Sequence, residues 1–367
     1  MRIFGITYDT GFLNGGHSTR ENLDADLVRK EMRVIRNDLH CTAVRVTGGD
    51  PERLDLAARL ASEAGLGVWF SPFTCDLDRE ELLDLLADCA ERAERLRRAG
   101  ADVVLLTGSE LTLFTRGFVP GDTVDERAAV LADPERARRE LAAVPARVNA
   151  FLGGAVAVVR ERFHGPVGYA SLPFEGVDWT PFDIVATDGG YRSAEIADRF
   201  RDGIRALVEH GHALGKPVVI TEFGCTTHRG AAGLGARGDS IVQWRRTGLP
   251  ARLTGEYVRD EHEQAAYIVE LLDLFAEAGV DGAFVNTFAR YDLPHRADPS
   301  EDFDLASYGI VAVLENGADG GVARRPDGGV ARRPDGDVPW RPKAAFTALA
   351  DAYRTRTTGS RISPEST

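Results

Sequence analysis

Two glutamates in this 367-residue chain stand where chemistry is done, Glu110 and Glu222. Each follows a run of apolar and β-branched residues, "DVVLLTGSE" for Glu110 and "PVVITEFG" for Glu222. A carboxylate is expensive to bury unless something pairs with it, so an acid closing an apolar strand implies a strand end that opens on a cleft. Asp9 closes "RIFGITYD" in the same way, and Asp188 lies in "DIVATDGGY". Arg45, in "AVRVTG", is the cation expected to hold Glu222 ionised, because a nearby opposite charge depresses a carboxyl pKa. Glu110, raised by burial and by a negative neighbour, is expected to be a proton donor. A protonated carboxyl that serves a leaving oxygen, facing an ionised one that attacks an anomeric carbon, is the equipment for breaking a glycosidic bond.

Those residues need a frame that brings distant strand ends together. Eight strand-like runs can be named: "RIFGITYD", "TAVRVTGG", "GVWFSPF", "DVVLLTGSE", "PVGYASLP", "DIVATDGGY", "PVVITEFG" and "GAFVNTF". They alternate with helical patterns, and most end on polar or small residues, as the strands of a parallel sheet do when their carboxyl ends open on loops. Strict alternation of eight units predicts an α/β fold, a single (β/α)8 TIM barrel with extended βα loops; an open doubly wound sheet is the alternative. The helices carry their own signals. Asp50-Pro51 and Asp133-Pro134 each put an N-cap acceptor before a proline at the first helical position. Leu82, Leu86, Cys89, Ala93 and Leu96 recur at steps of four and three up to Gly100.

The barrel is expected to span 1–355. An insertion at 318–338 holds the tandem "GVARRPDG" repeat of 321–328 and 329–336, a Gly/Pro/Arg-rich duplication without apolar period that reads as an exposed loop. "WRPKAAFTALADAYR" reads as the closing helix and 356–367 as a disordered tail. A net charge of −13 without a basic stripe argues against a nucleic-acid partner. No apolar run approaches a membrane span, and the start "MRIFGITYDTGF" lacks the pattern of a secretory signal, so a cytoplasmic address is expected. Cys41, Cys75, Cys89 and Cys225 show neither a CxxC pair nor a nearby metal-spaced histidine, so neither a disulfide framework nor a zinc site is expected.

Taken together, Glu110 after the fourth strand, Glu222 in "TEFG" after the seventh and Arg45 after the second resemble the large (β/α)8 clan of retaining glycoside hydrolases, clan A or the 4/7 superfamily. "TGSELT" is similar to the acid/base segment of its mannanase-like members, and the resemblance runs over all eight strands and the closing helix. It implies Glu110 as acid/base, Glu222 as nucleophile and Tyr191 as the aromatic partner of the nucleophile. Two positions depart from the pattern. Ser109 stands where many members have an asparagine for the sugar 2-hydroxyl, and Thr287 and Phe288 stand where a tryptophan platform commonly follows the eighth strand. Both leave the −1 sugar open.

The candidate substrate-binding set is therefore Arg45, Ser109, Tyr191, Trp244, Asp9 and Phe288. Asp9 and Asp188 are as suited to capping a helix or orienting Arg45 as to touching substrate, and Trp244 is as suited to stacking on a sugar ring as to anchoring its own loop. "GLGARG" at 233–238 matches a dinucleotide fingerprint in letters only, since it lies in a polar loop well past a strand. His17, His228 and His295 read as loop polarity, and Cys225 as packing. The expected activity is retaining hydrolysis of a soluble oligosaccharide or glycosylated metabolite, with no metal or organic cofactor. Two alternatives remain open: a biosynthetic transferase or non-hydrolytic enzyme on a specialised metabolite, and a non-catalytic carbohydrate-binding barrel.

Overall fold

A computed structural model of the protein describes residues 1–245, 248–315 and 338–359. Eight parallel strands form one sheet: β1 (Ile3–Asp9), β2 (Ala43–Gly48), β3 (Gly67–Pro72), β4 (Val103–Ser109), β5 (Val167–Ala170), β6 (Val185–Thr187), β7 (Val218–Phe223) and β8 (Gly282–Val285). Their order is β5-β4-β3-β2-β1-β8-β7-β6. The two outer strands meet through a parallel bridge between Ser171 and Thr187, so the ring is nearly closed and the open doubly wound sheet is excluded.

The strands are buried along almost their whole length, and successive side chains point alternately into the barrel and out to the helices. The barrel interior begins as an apolar floor that includes Ala43, Trp69, Ala186, Val219 and Phe284. Two residues further along the same strands stand Arg45, Ser71, Asp188, Thr221 and Asn286. A period of two thus carries each strand from floor to polar mouth in one step. Gly5 makes the floor possible, because a Cβ there would lie 2.3 Å from the Phe284 ring.

The helices α1 (Ala25–Asn37), α2 (Pro51–Glu63), α3 (Arg79–Arg98), α4 (Val144–Arg160), α5 (Ala197–Ala213), α6 (Glu261–Ala278) and α7 (Ala344–Gly359) lie outside the strands. Asp50 accepts from the Glu52 and Arg53 amides and Asp133 from those of Glu135 and Arg136, each before its proline, as expected. The α3 stripe is buried from Leu82 to Leu96, and Gly100 takes the positive φ of 98° that follows the helix.

Three expectations need correction. Alternation is not strict: β5 and β6 are joined by turns rather than a helix, because "SLPFEGVDWTPF" is too short, carries two prolines and has no apolar stripe. "WRPKAAF" is not helical throughout, since Trp340–Pro342 pairs antiparallel with Val311–Val313 before α7 begins. And α7 runs through Gly359, four residues into the segment expected to be disordered. The repeat at 321–336 and residues 360–367 lie outside the described residues. No single helix among the described residues is long and apolar enough to cross a membrane.

Candidate active site

Arg45 is the centre of the mouth. It is fully buried, and its guanidinium donates in every direction: Nε to Ser71 Oγ at 3.1 Å, Nη1 to Asp188 Oδ1 at 2.8 Å, to the Thr221 carbonyl at 3.1 Å and to Glu222 Oε1 at 3.1 Å. Nη2 reaches Ser109 Oγ at 3.1 Å and Asp188 Oδ2 at 3.4 Å. Ser109 donates its hydroxyl to Asp188 Oδ2 at 2.5 Å. Residues from β2, β3, β4, β6 and β7 thus converge on one planar cation, whose fixed fork of donors suits two carboxylates at once.

Glu222 is the more open of those two carboxylates. Its side chain keeps 13% of its surface exposed, whereas that of Asp188 keeps none. Tyr191 donates to Glu222 Oε2 at 3.2 Å, and the Asn286 amide donates to the Tyr191 hydroxyl at 2.7 Å, which leaves the phenolic proton for the carboxylate. Gly190 lets the Tyr191 segment come this close: its amide donates to the Glu222 carbonyl at 3.1 Å, and a Cβ there would lie 2.3 Å from that oxygen.

Glu110 comes from the other side of the ring. It follows β4 with φ 47° and ψ 47°, a left-handed conformation uncommon outside glycine. One carboxylate oxygen from each of Glu110, Asp188 and Glu222 lies within 4.8 Å of the other two. Three acids so close are also the donor set of a cation site, but the Arg45 guanidinium already bonds two of them and supplies the countercharge. Behind Glu110 stands a further acid, Glu175, fully buried on the β5–β6 connection; it accepts from the amide and hydroxyl of Thr112, two residues after Glu110, and from the Tyr169 hydroxyl, to which the Leu111 amide donates.

Burial pushes the Glu110 carboxyl well above the usual carboxylate range, helped by Asp188, Glu222 and Glu175 and opposed by Arg45. Burial also pushes Glu222 up, to about 7, with Asp188 adding to the rise and Arg45, Tyr191 and Arg290 opposing it. Arg45 therefore acts in the expected direction without prevailing, because burial and the Asp188 charge outweigh it. Burial and the Asp188 charge thus raise both glutamates. The arrangement sets a carboxyl biased toward its protonated form on one wall against one that titrates near 7 on the other.

The remaining candidates disperse. Asp9 spends its carboxylate on the loop after β1, accepting the Gly11 amide at 2.9 Å and the Thr19 hydroxyl at 2.5 Å. Phe288 is fully buried between Tyr8 and Trp340, so the expected substrate contact becomes a core contact. Trp244 lies on a hairpin formed by Val242–Trp244 and Pro250–Leu253 and keeps 39% of its surface exposed. His228 and His295 sit in hydrogen-bond networks with Thr226 and the Leu305 carbonyl, and with Arg259 and Asp302. Cys225 is buried, which pushes its thiol up to about 12. The "GLGARG" stretch runs into 3-10 turns, away from any strand-to-helix junction.

Sequence reasoning underrated Asp188 and passed over Glu175, Asn286 and Arg290. The step of two from floor to mouth could have found Asp188 and Asn286. Arg290, bound through two nitrogens to Asp292 at 2.8 and 2.6 Å, follows β8 in an irregular loop with no such period.

No family model matches the sequence, and no curated protein matches it. Solved structures do match over the whole chain. A GH113 β-1,4-mannanase superposes with a TM-score of 0.58 at 16% identity, covering 97% of this chain and 100% of its own. The GH113 β-mannanase AaManA of Alicyclobacillus acidocaldarius gives 0.56 at 18%, covering 96% and 97%. A β-glucuronidase of Parabacteroides merdae gives 0.51 at 14%, covering 96% of this chain but 36% of that longer one. The likeness is one of fold, an eight-stranded (β/α)8 barrel.

Proposed function

We propose that this barrel is a retaining glycoside hydrolase in which Glu222 is the nucleophile and Glu110 the acid/base. The observation that carries the reading is the approach of the two carboxylates to within 4.8 Å at the mouth. A gap of about 5–5.5 Å between carboxyl groups suits double displacement, whereas inversion needs about 6.5–9.5 Å to admit a water beside the sugar.

The roles divide by environment. Glu222, held by Arg45 and Tyr191, presents an oxygen to the anomeric carbon, and its bond to that carbon forms as the bond to the leaving oxygen breaks. Glu110 gives its proton to that oxygen. In the second half Glu110, now ionised, takes a proton from water as the water displaces Glu222 and restores the starting state. Asp188, wholly buried, fixes Arg45, and its charge raises the pKa of both glutamates.

Because the structural neighbours include β-mannanases and a β-glucuronidase, aryl β-mannosides, β-glucosides and β-glucuronides are the first substrates to try. With a substrate in hand, its 2-deoxy-2-fluoro analogue should leave a glycosyl group on Glu222, seen by intact mass and peptide mapping. Solvent enriched in oxygen-18 should label the released sugar if water is the acceptor, and leave it unlabelled if another acceptor is used. Turnover with first-formed product of inverted anomeric configuration would overturn the proposal.

A further inference from the structure

The β5–β6 connection lacks the helix that the other crossovers carry, and what it carries instead is Glu175. All four of the hydrogen bonds to this buried carboxylate come from donors. Oε1 accepts the Thr112 amide at 2.9 Å and the Thr112 hydroxyl at 2.7 Å; Oε2 accepts the Tyr169 hydroxyl at 2.7 Å and the Leu172 amide at 2.9 Å. Tyr169 in turn accepts the Leu111 amide at 2.9 Å. Leu111 and Thr112 are the two residues immediately after Glu110, whose own amide donates to the Ala170 carbonyl at 2.9 Å. Three successive amides are thereby fixed to β5 and the segment after it. A non-glycine residue in the left-handed region persists only where its surroundings over-determine it, and this clamp does so for Glu110.

We propose that Glu175, acting with Tyr169, is the positioning residue of the acid/base: it locks the backbone on the far side of Glu110 so that the Glu110 carboxyl faces Glu222. The inference rests on the reading of Glu110 as a proton donor and extends it to a residue that touches no substrate. Glu175 adds a second effect through its charge. Beside burial, the groups that act on Glu110 among the described residues are Asp188, Glu222 and Glu175, which raise its pKa, and Arg45, which lowers it, with the Tyr169 phenol close by, so Glu175 is one of three carboxylates that bias Glu110 toward its protonated form.

The test uses Glu175→Gln, Glu175→Ala and Tyr169→Phe in the full chain. In hydrogen exchange, the peptide around Leu111 and Thr112 should lose protection in Glu175→Ala whether or not a substrate is known; unchanged protection overturns the clamp. With an aryl glycoside series, kcat/KM should fall by roughly tenfold or more for poor leaving groups, within the range general acids contribute. It should fall little for dinitrophenolate, which leaves without a proton. An equal fall across the series means a general structural defect and overturns the proposal. The alkaline limb of kcat/KM should move to lower pH in Glu175→Gln, where the charge is lost, and hold in Tyr169→Phe, where it remains. Should Glu175→Ala fail to fold, Tyr169→Phe still reads the clamp by exchange and by leaving group. Failure of the underlying function is distinct, since it appears as no turnover of any glycoside by the wild-type protein.

Discussion

Replacing Glu222 by glutamine separates a catalytic carboxylate from a structural one by the sign of its effect on stability. Burial pushes Glu222 from 4.5 to about 7 in the folded protein despite Arg45 and Tyr191. At about 1.4 kcal/mol per pH unit, ionising this group therefore costs the folded state roughly 3 kcal/mol. The sign follows from the raised pKa. Below about 4.5 the group is protonated in both folded and unfolded chains and there is no penalty. Between that value and about 7 the unfolded chain ionises first and the penalty grows, and above 7 it is complete. Glu222→Gln has no charge to bury, so it should match the wild type near pH 4.5 and exceed it by up to about 3 kcal/mol at pH 8, while losing activity. Urea unfolding of both proteins at several pH values measures the difference directly. A Glu222→Gln protein that is less stable than the wild type at pH 8 would mean that the Arg45 pair is a net structural asset, and the assignment of Glu222 as a strained, poised nucleophile would fall.

Other expectations follow from the same geometry. The acid limb of kcat/KM should lie near 7, where Glu222 ionises, with the alkaline limb set by the higher Glu110. Tyr191→Phe removes a donor that lowers the Glu222 pKa, so that limb should move to higher pH and kcat should fall about tenfold, the worth of a hydrogen bond to a charged group; an unmoved limb would detach Tyr191 from the nucleophile. Arg45→Met leaves Asp188 buried with Ser109 as its remaining partner in the cluster, and should lower unfolding free energy by about 3–5 kcal/mol in chemical denaturation. Phe288→Ala should cost about 3–5 kcal/mol of stability and leave KM unchanged, because its ring fills core between Tyr8 and Trp340; a large rise in KM with unaltered stability would return it to the substrate site.

Much of the frame was legible because its signals are local. Apolar runs marked all eight strands, Asp50 and Asp133 announced their helices through cap chemistry, and the acids at strand ends pointed to the mouth. The missing β5–β6 helix was also written locally, in two prolines and a short span, but a rule of alternation spoke louder than the residues. Phe288 was misread because position after β8 says nothing about which way a side chain turns in an irregular loop. Trp340 looked helical for a similar reason, since pairing with Val311–Val313 is a contact between segments far apart in the chain.

The sequence by itself determined which residue types stand at the strand ends, because alternation along a strand is a property of neighbouring residues. Only the closed ring decided what those residues do to one another. Arg45, Asp188 and Glu222 lie up to 177 positions apart, and whether the cation or the burial governs the pKa of Glu222 depends on distances and solvent exclusion that no local pattern encodes. The same holds for Glu175, whose carboxylate matters only because folding sets it against the backbone that follows Glu110.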